Sequence, residues 1–162
     1  MKKFFKSLML ISVCLGLSAT VNAKTFRYAT TGDILGLDPH ANNEGPTNTM
    51  KGNIYGRMLH RKADLSLEPD LATKWEKLDA NTWRFSLRRG VKFHNGNDFN
   101  ADDVLFSYKR QTQEASDMSF ALATIKQINK VDDYTVDLIT KGPDPILLLN
   151  MPMFYIVDKE WI

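Results

Sequence analysis

The sequence of 162 residues predicts a mixed α and β fold in which strands predominate in the middle of the chain. Two patterns carry this prediction. Residues 82–87 alternate, with Trp83, Phe85 and Leu87 on one face, as in a strand with one buried side. Further along, Asn100 precedes two aspartates and a group of apolar residues, which is typical of the start of a helix.

The first 23 residues are predicted to be a cleavable, Sec-type signal peptide. Three lysines precede an apolar run at residues 8–17, and small side chains then allow cleavage between Ala23 and Lys24. An uncleaved membrane anchor is the alternative, but the apolar run is shorter than the roughly 20 residues of a span. We therefore expect the mature protein to be periplasmic.

The mature chain has a different charge balance from the full sequence. Removing the three lysines of the signal from the 21 basic residues leaves 18 against 19 acidic ones, a formal charge of −1 instead of +2. A near-neutral chain gives no electrostatic reason to expect nucleic acid or an anionic membrane as a partner. Its one cysteine, Cys14, lies in the signal, so we expect a hydrophobic core and not disulfides to hold the fold.

The first part of the mature chain is predicted to contain one strand and one helix. Residues 25–30 read as a short strand that leads into turn residues at 31–33 and again at 37–40. Met50, Ile54 and Met58 then recur at four-residue spacing, which predicts one buried face of a helix.

Two glycines fall within this predicted helix. Gly52 and Gly56 each weaken it by about 1 kcal/mol relative to alanine. We expect them to allow close packing against a neighbouring element.

The middle of the chain is predicted to be a series of short strands. Residues 74–78 and 82–87 are joined by a turn at 79–81, and residues 91–93 extend to a tight turn at Asn95-Gly96. Burial of the three large side chains of 82–87 contributes roughly 1.5–3 kcal/mol each, so that face is expected to line a core.

The second half is predicted to contain two helices on either side of a strand pair. A helix begins after the Asn100 cap, with Asp102 and Asp103 in its first turn. Residues 122–131 and 134–140 are predicted strands, and Asp144-Pro145 reads as a cap and first residue of another helix.

Catalytic and metal-binding patterns are absent from the sequence. His40, His60 and His94 lack metal-type spacing, so turn and surface positions are expected for them. Arg88-Arg89 at the end of a strand is expected to be a solvated pair. We found neither a phosphate-binding glycine pattern nor a serine nucleophile elbow, and we expect no cofactor and no enzymatic activity. Trp75 and Trp83 could stack on a ligand, but core packing is the simpler interpretation.

The central residues resemble a known family. The resemblance rests on residues 67–72 (LEPDLA), 75–76 (WE), 79, 82–85 (TWRF), 87–88 (LR), 90–96 (GVKFHNG) and 99–104 (FNADDV), with support from 37–40 and 53–59. These residues are similar to the signature of the extracellular solute-binding proteins of family 5, the peptide-, oligopeptide- and nickel-type receptors of bacterial ABC importers. Asn100 stands where the family commonly has threonine, and both residues can cap a helix.

The resemblance implies the N-terminal part of a two-lobed, class II-like periplasmic binding protein. Residues 24–60 would begin the first lobe, and residues 61–162 would form most of its small β-rich subdomain. Such receptors close over a solute and deliver it to a membrane permease. Among peptides, nickel, glutathione-like solutes and opines, peptides are the expected ligand class.

The resemblance also implies candidate solute contacts at Thr31, Gly32 and Asp33. This stretch is similar to one that approaches the ligand in the family, and Gly32 would let the backbone come close. A plain turn after the first strand is the alternative interpretation.

The chain is shorter than members of the family, and residues 151–162 are rich in apolar and aromatic residues up to the last one. This predicts apolar surface that remains exposed for want of a second lobe, and little peptide binding by the short chain alone. The alternative function is a truncated, non-functional product, or a small secreted interaction module, from a disrupted gene.

Overall fold

A computed structural model describes residues 32–160 together with Thr25, Arg27 and Ala29. Contacts divide the chain into residues 1–30 and residues 31–162, and the described helices and sheets all belong to the second unit. The predicted signal peptide, its cleavage site between Ala23 and Lys24, and most of the predicted strand at 25–30 lie outside the described residues. Within the described part of the chain, no helix is both long and apolar enough to cross a membrane.

The centre of the unit is a four-stranded antiparallel sheet, as the alternation predicts. Its strands are β3 (Ala72–Lys77), β4 (Thr82–Leu87), β5 (Ile125–Asp132) and β6 (Thr135–Thr140), in the spatial order β3-β4-β6-β5. Sequence neighbours pair through short turns, and β4 pairs with β6 across the sheet. The predicted strand at 122–131 begins later, because a 3₁₀ helix occupies Ser119–Leu122.

A second, two-stranded sheet consists of β1 (Leu59–Arg61) and β2 (Leu67–Pro69). Its hairpin turn places Leu65 at φ 68°, in the left-handed region, and leaves this side chain 71% exposed. A leucine in this conformation is strained, because its Cβ crowds the backbone.

Helix α1 (Gly45–Ile54) differs from the predicted helix in where it ends and in which face is buried. It ends at Ile54, and the face that carries Met50 and Ile54 is 37% exposed at each residue, whereas Thr47 and Lys51 are fully buried. Met58 is buried, but at a bend beyond the helix and directly before β1.

Tertiary pairing explains why α1 stops. The backbone of residues 56–58 bonds to residues 71–72 on one side and to residues 154–156 on the other. Gly56 is needed there, because a Cβ at this position would lie 2.9 Å from Leu71 Cδ1. The expected close approach is therefore confirmed at Gly56.

The capped helix is confirmed as α2 (Ala101–Gln111). Asn100 Oδ1 accepts from the N–H of Asp102, and the Asp103 carboxylate accepts from the N–H of Asn100, so side chains satisfy donors of the first turn. The last helix, α3 (Leu147–Asn150), starts two residues after the predicted first residue, Pro145. Asp144 Oδ1 instead accepts from the N–H of Ile146, which forms a turn before the helix.

The hydrophobic core lies between the four-stranded sheet, α2 and the C-terminal segment. Phe85 and Leu87 are buried, and Trp75 and Trp83 pack against the core, as expected. The apolar C-terminal segment is part of this core. It passes through a 3₁₀ helix at Met151–Met153 and is buried from Phe154 to Asp158. Its apolar character therefore follows from core packing.

Candidate functional site

The predicted solute contacts lie at the start of segment 32–42, which precedes α1. Thr31 is outside the described residues, and Gly32 and Asp33 are exposed. A Cβ at Gly32 would lie 3.3 Å from Pro46 Cγ, so glycine lets the segment run close to the first turn of α1. The N–H of Leu35 then donates to Thr47 Oγ1 at 3.0 Å. The segment thus has an exposed beginning, and the role of that beginning in solute contact stays a prediction.

A bidentate salt bridge between Asp38 and Arg110 joins the end of segment 32–42 to α2. Arg110 donates from Nη1 to Asp38 Oδ1 at 2.8 Å and from Nη2 to Asp38 Oδ2 at 2.6 Å. This hydrogen bonding from Arg110 is the main reason that the pKa of Asp38 falls to about 2. The carboxylate and guanidinium therefore stay ionised and paired over the whole range in which proteins normally work.

His40 is buried and contacts three other residues, so the predicted surface position is wrong. The residue is 2% exposed, its Nδ1 lies 2.9 Å from Arg110 Nη1, and its Nε2 lies 3.0 Å from the carbonyl oxygen of Tyr155. Its own carbonyl accepts from Ser116 Oγ at 2.7 Å. Burial of the imidazole is the main cause that lowers the pKa of His40 to about 4.

Lys51 completes this anchor, which consists of Asp38, His40, Lys51, Arg110 and Tyr155. Lys51 is fully buried on α1, and its Nζ donates to the carbonyl oxygen of Asn42. Burial lowers its pKa, and the nearby Asp38 opposes that shift. Sequence reasoning missed Lys51 and Arg110, since a lysine among polar neighbours and an arginine in the last turn of a helix both read as surface residues.

A second polar cluster ties the predicted turn at 95–96 to the C-terminal segment. Gly96 has φ +95°, which confirms the turn. Asp158 is 6% exposed and accepts from Asn95 Nδ2 at 2.7 Å and from Asn97 Nδ2 at 2.8 Å. The buried Asp103 carboxylate accepts from the N–H of Lys159 at 3.2 Å, and burial is the main cause that raises its pKa.

A cleft of about 460 Å³ lies beside this cluster. Apolar side chains form most of its walls, with His94, Asn95 and Asp158 among its polar residues. Arg88 and Arg89 are exposed, as predicted, although Arg88 Nε donates to the carbonyl oxygen of Asp70 at 2.8 Å. Among the residues that the structure describes, no group of three His, Cys, Asp or Glu side chains could hold a metal ion.

Sequence comparison places the central part of the chain in one family. Residues 66–161 match the profile of bacterial extracellular solute-binding proteins, family 5 Middle. The chain is 32% identical over 173 residues to the dipeptide-binding protein of Escherichia coli K12, which covers 92% of this chain and 32% of that protein. It is 33% identical over 155 residues to heme-binding protein A of Haemophilus influenzae, which covers 82% and 28%. The chain thus spans about a third of the length of these relatives.

Solved structures agree with this result. The periplasmic binding protein DppA of Helicobacter pylori in complex with the peptide STSA matches 80% of this chain, with a TM-score of 0.70 and 30% identity, over 30% of its own length. MoaA of A. tumefaciens R10 in complex with mannopinic acid matches 79% of this chain, with a TM-score of 0.72 and 32% identity, over 28% of its own length. With a profile match across more than half of its residues, this chain belongs to the bacterial extracellular solute-binding proteins of family 5.

Proposed function

We propose that this protein is the periplasmic solute-binding component of an ABC importer and that its solute is a small peptide. The observation that carries the proposal is the family match over residues 66–161. Among similar proteins, two are named for dipeptides or for di- and tripeptides, and the matched DppA structure holds a peptide. Haem and mannopinic acid, named for two others, are the competing solute classes.

The proposed mechanism is closure of two lobes over the solute. In this proposal residues 24–60 begin the first lobe and residues 61–162 form most of its small subdomain. Closure requires that the solute contact both lobes, because a ligand shifts a conformational equilibrium only by its difference in affinity for the two states. The described unit supplies one wall of the binding site, and a permease receives the solute from the closed form.

Segment 32–42 is proposed to bring its exposed start, at residues 31–33, to the solute. Two features support this role: Gly32 leaves the backbone accessible, and the anchor holds the far end of the segment rigidly. A rigid backbone contact suits a receptor for peptides, because it binds the main chain and tolerates varied side chains.

Isothermal titration calorimetry tests the solute class on the two-lobed receptor isolated from the periplasm of its own cells, since one lobe alone is expected to bind little peptide. The probes are a dipeptide, a tripeptide, mannopinic acid and haem. We expect saturable binding of the peptides alone. Saturation by haem or mannopinic acid alone would show that the solute class is wrong, and failure of all four probes would contradict a receptor for any of these solutes.

A pair of glycine variants tests the contact at segment 32–42. Gly32→Ala places a methyl group 3.3 Å from Pro46 Cγ, which shifts the exposed start of the segment. We expect the dissociation constant for peptide to rise about 10-fold or more, which is roughly 1.4 kcal/mol. Gly45→Ala is the control, since its Cβ meets nothing within 4 Å. Equal affinity in the two variants would remove segment 32–42 from the solute site.

The transport assignment has its own test in the genome. Permease and ATPase genes beside this gene are expected. Flanking DNA that lacks them would favour the secreted interaction module instead.

A further inference from the structure

The hydrogen bonds around His40 determine which ring nitrogen carries the proton. Arg110 Nη1 can only donate, so His40 Nδ1, at 2.9 Å, must accept. The proton is therefore on Nε2, which donates to the carbonyl oxygen of Tyr155 at 3.0 Å. Both nitrogens are used, and the ring is neutral and 2% exposed.

A second proton has no acceptable place on the ring while it is buried. It would lie on Nδ1, pointing at the Arg110 guanidinium 2.9 Å away. Asp38 cannot compensate fully, because both of its oxygens already accept from Arg110. The charged and titratable groups around the ring are Asp38 of its own segment, Lys51 of α1, Arg110 of α2 and the phenol of Tyr155, with Glu44, Tyr55 and Asp117 behind them. Protonation therefore favours a ring that has left its site.

Departure of the ring would detach more than one side chain. The backbone of His40 also accepts from Ser116 Oγ, and the neighbouring carbonyl of Ala41 accepts from the N–H of Asp117. We propose that segment 32–42 is an acid-sensitive strap, which protonation of His40 releases from α2 and from the carbonyl oxygen of Tyr155. That the strap carries a solute contact rests on the proposed function.

The direction of the pH effect follows from proton linkage. Burial lowers the pKa of His40 from 6.5 to about 4, so the released ring binds a proton more readily than the buried ring. The strap is fully attached above pH 6.5 and loses attachment as the pH falls from 6.5 to 4, by about 100-fold in the equilibrium constant. With its pKa near 2, Asp38 remains ionised throughout this window.

Hydrogen exchange of the full chain, read by mass spectrometry between pH 7 and pH 4, tests the strap. After correction for the intrinsic pH dependence of exchange, protection of peptides within residues 33–42 is expected to fall by about 100-fold. Peptides from β4 and β6 serve as an internal reference and should keep their protection. Unchanged protection of residues 33–42 in the wild type would overturn the proposal.

Two glutamine variants identify the responsible histidine. His40→Gln removes the titrating ring, and we expect exchange of residues 33–42 to become independent of pH in this window. His60→Gln is the control, because the side chain of His60 is 40% exposed, and it should behave like the wild type. An equal loss of protection in His40→Gln would also refute the proposal.

If His40→Gln does not fold, an NMR titration of the ring in the wild type decides. Proton uptake by the ring between pH 6.5 and pH 4 that coincides with loss of protection of residues 33–42 supports the strap. Proton uptake at any pH while residues 33–42 keep their protection refutes it. Neither readout involves solute binding, so failure of the strap and failure of the proposed function are distinguishable.

Discussion

Replacing Gly56 with alanine should destabilise the protein through a single contact. The new Cβ would lie 2.9 Å from Leu71 Cδ1, which is closer than a Cβ approaches another atom in folded proteins, and 3.2 Å from Leu71 Cγ, which is also tight. Leu71 cannot easily move away, because it is 8% exposed and its N–H donates to the carbonyl oxygen of Arg57 at 3.0 Å. Either the leucine leaves its rotamer or the two backbone segments separate.

The size of the effect can be estimated from two opposing contributions. Overpacking of this kind costs about 1–3 kcal/mol. Loss of glycine from the unfolded chain offsets it by about 0.4–1 kcal/mol. A net loss of about 1–2 kcal/mol in the free energy of unfolding lowers Tm by roughly 3–10 °C in a unit of this size.

Chemical and thermal unfolding followed by circular dichroism measures this loss. Gly142→Ala is the matched control, since a Cβ there meets nothing within 4 Å, and its midpoint should equal or exceed that of the wild type. In a Leu71→Ala background the Gly56 substitution should have little effect, because the colliding atoms are gone. A Gly56→Ala protein as stable as the wild type would refute the reasoning.

Three further predictions concern the hairpin, the helix cap and the signal. Leu65→Gly removes the strain of the left-handed leucine and should raise the free energy of unfolding by about 1 kcal/mol in urea titrations. Leu78→Gly is the control and should lower the free energy of unfolding, because Leu78 is also exposed but lacks a positive φ. A lower free energy of unfolding in both variants would contradict the strain argument. Asn100→Ala removes the cap of α2 and should cost about 1 kcal/mol, and an unchanged urea midpoint would show that the cap is dispensable. Mass spectrometry of the exported protein should find Lys24 at its N-terminus, and Ala23→Arg should leave the precursor uncut; a different first residue would refute the predicted cleavage site.

The parts of the fold that local patterns determine could be predicted from the sequence. The alternation at residues 82–87 and the turns on either side of it lead to strands that pair with their sequence neighbours. The cap at Asn100 is equally local, since all of its hydrogen bonds join residues 100–103.

The parts that failed depend on residues far away in the chain. The end of α1 is set by residues 71–72 and 154–156, which bond to non-helical backbone where the spacing of Met50, Ile54 and Met58 favours a helix. His40 and Lys51 were unpredictable as buried residues, because their partners are Arg110, Tyr155 and a backbone carbonyl. Of the candidate solute contacts, Gly32 and Asp33 are exposed, and no local pattern indicates what touches them.

The backbone of residues 56–58 joins two segments that are synthesised at very different times. Its pairing with residues 71–72 can form early, but its other edge waits for residues 154–156. Closing such a long loop is slow compared with forming hairpins such as β3–β4 and β5–β6. During synthesis, the backbone groups of residues 56–58 that bond to residues 154–156 therefore stay unpaired until the last part of the unit has emerged.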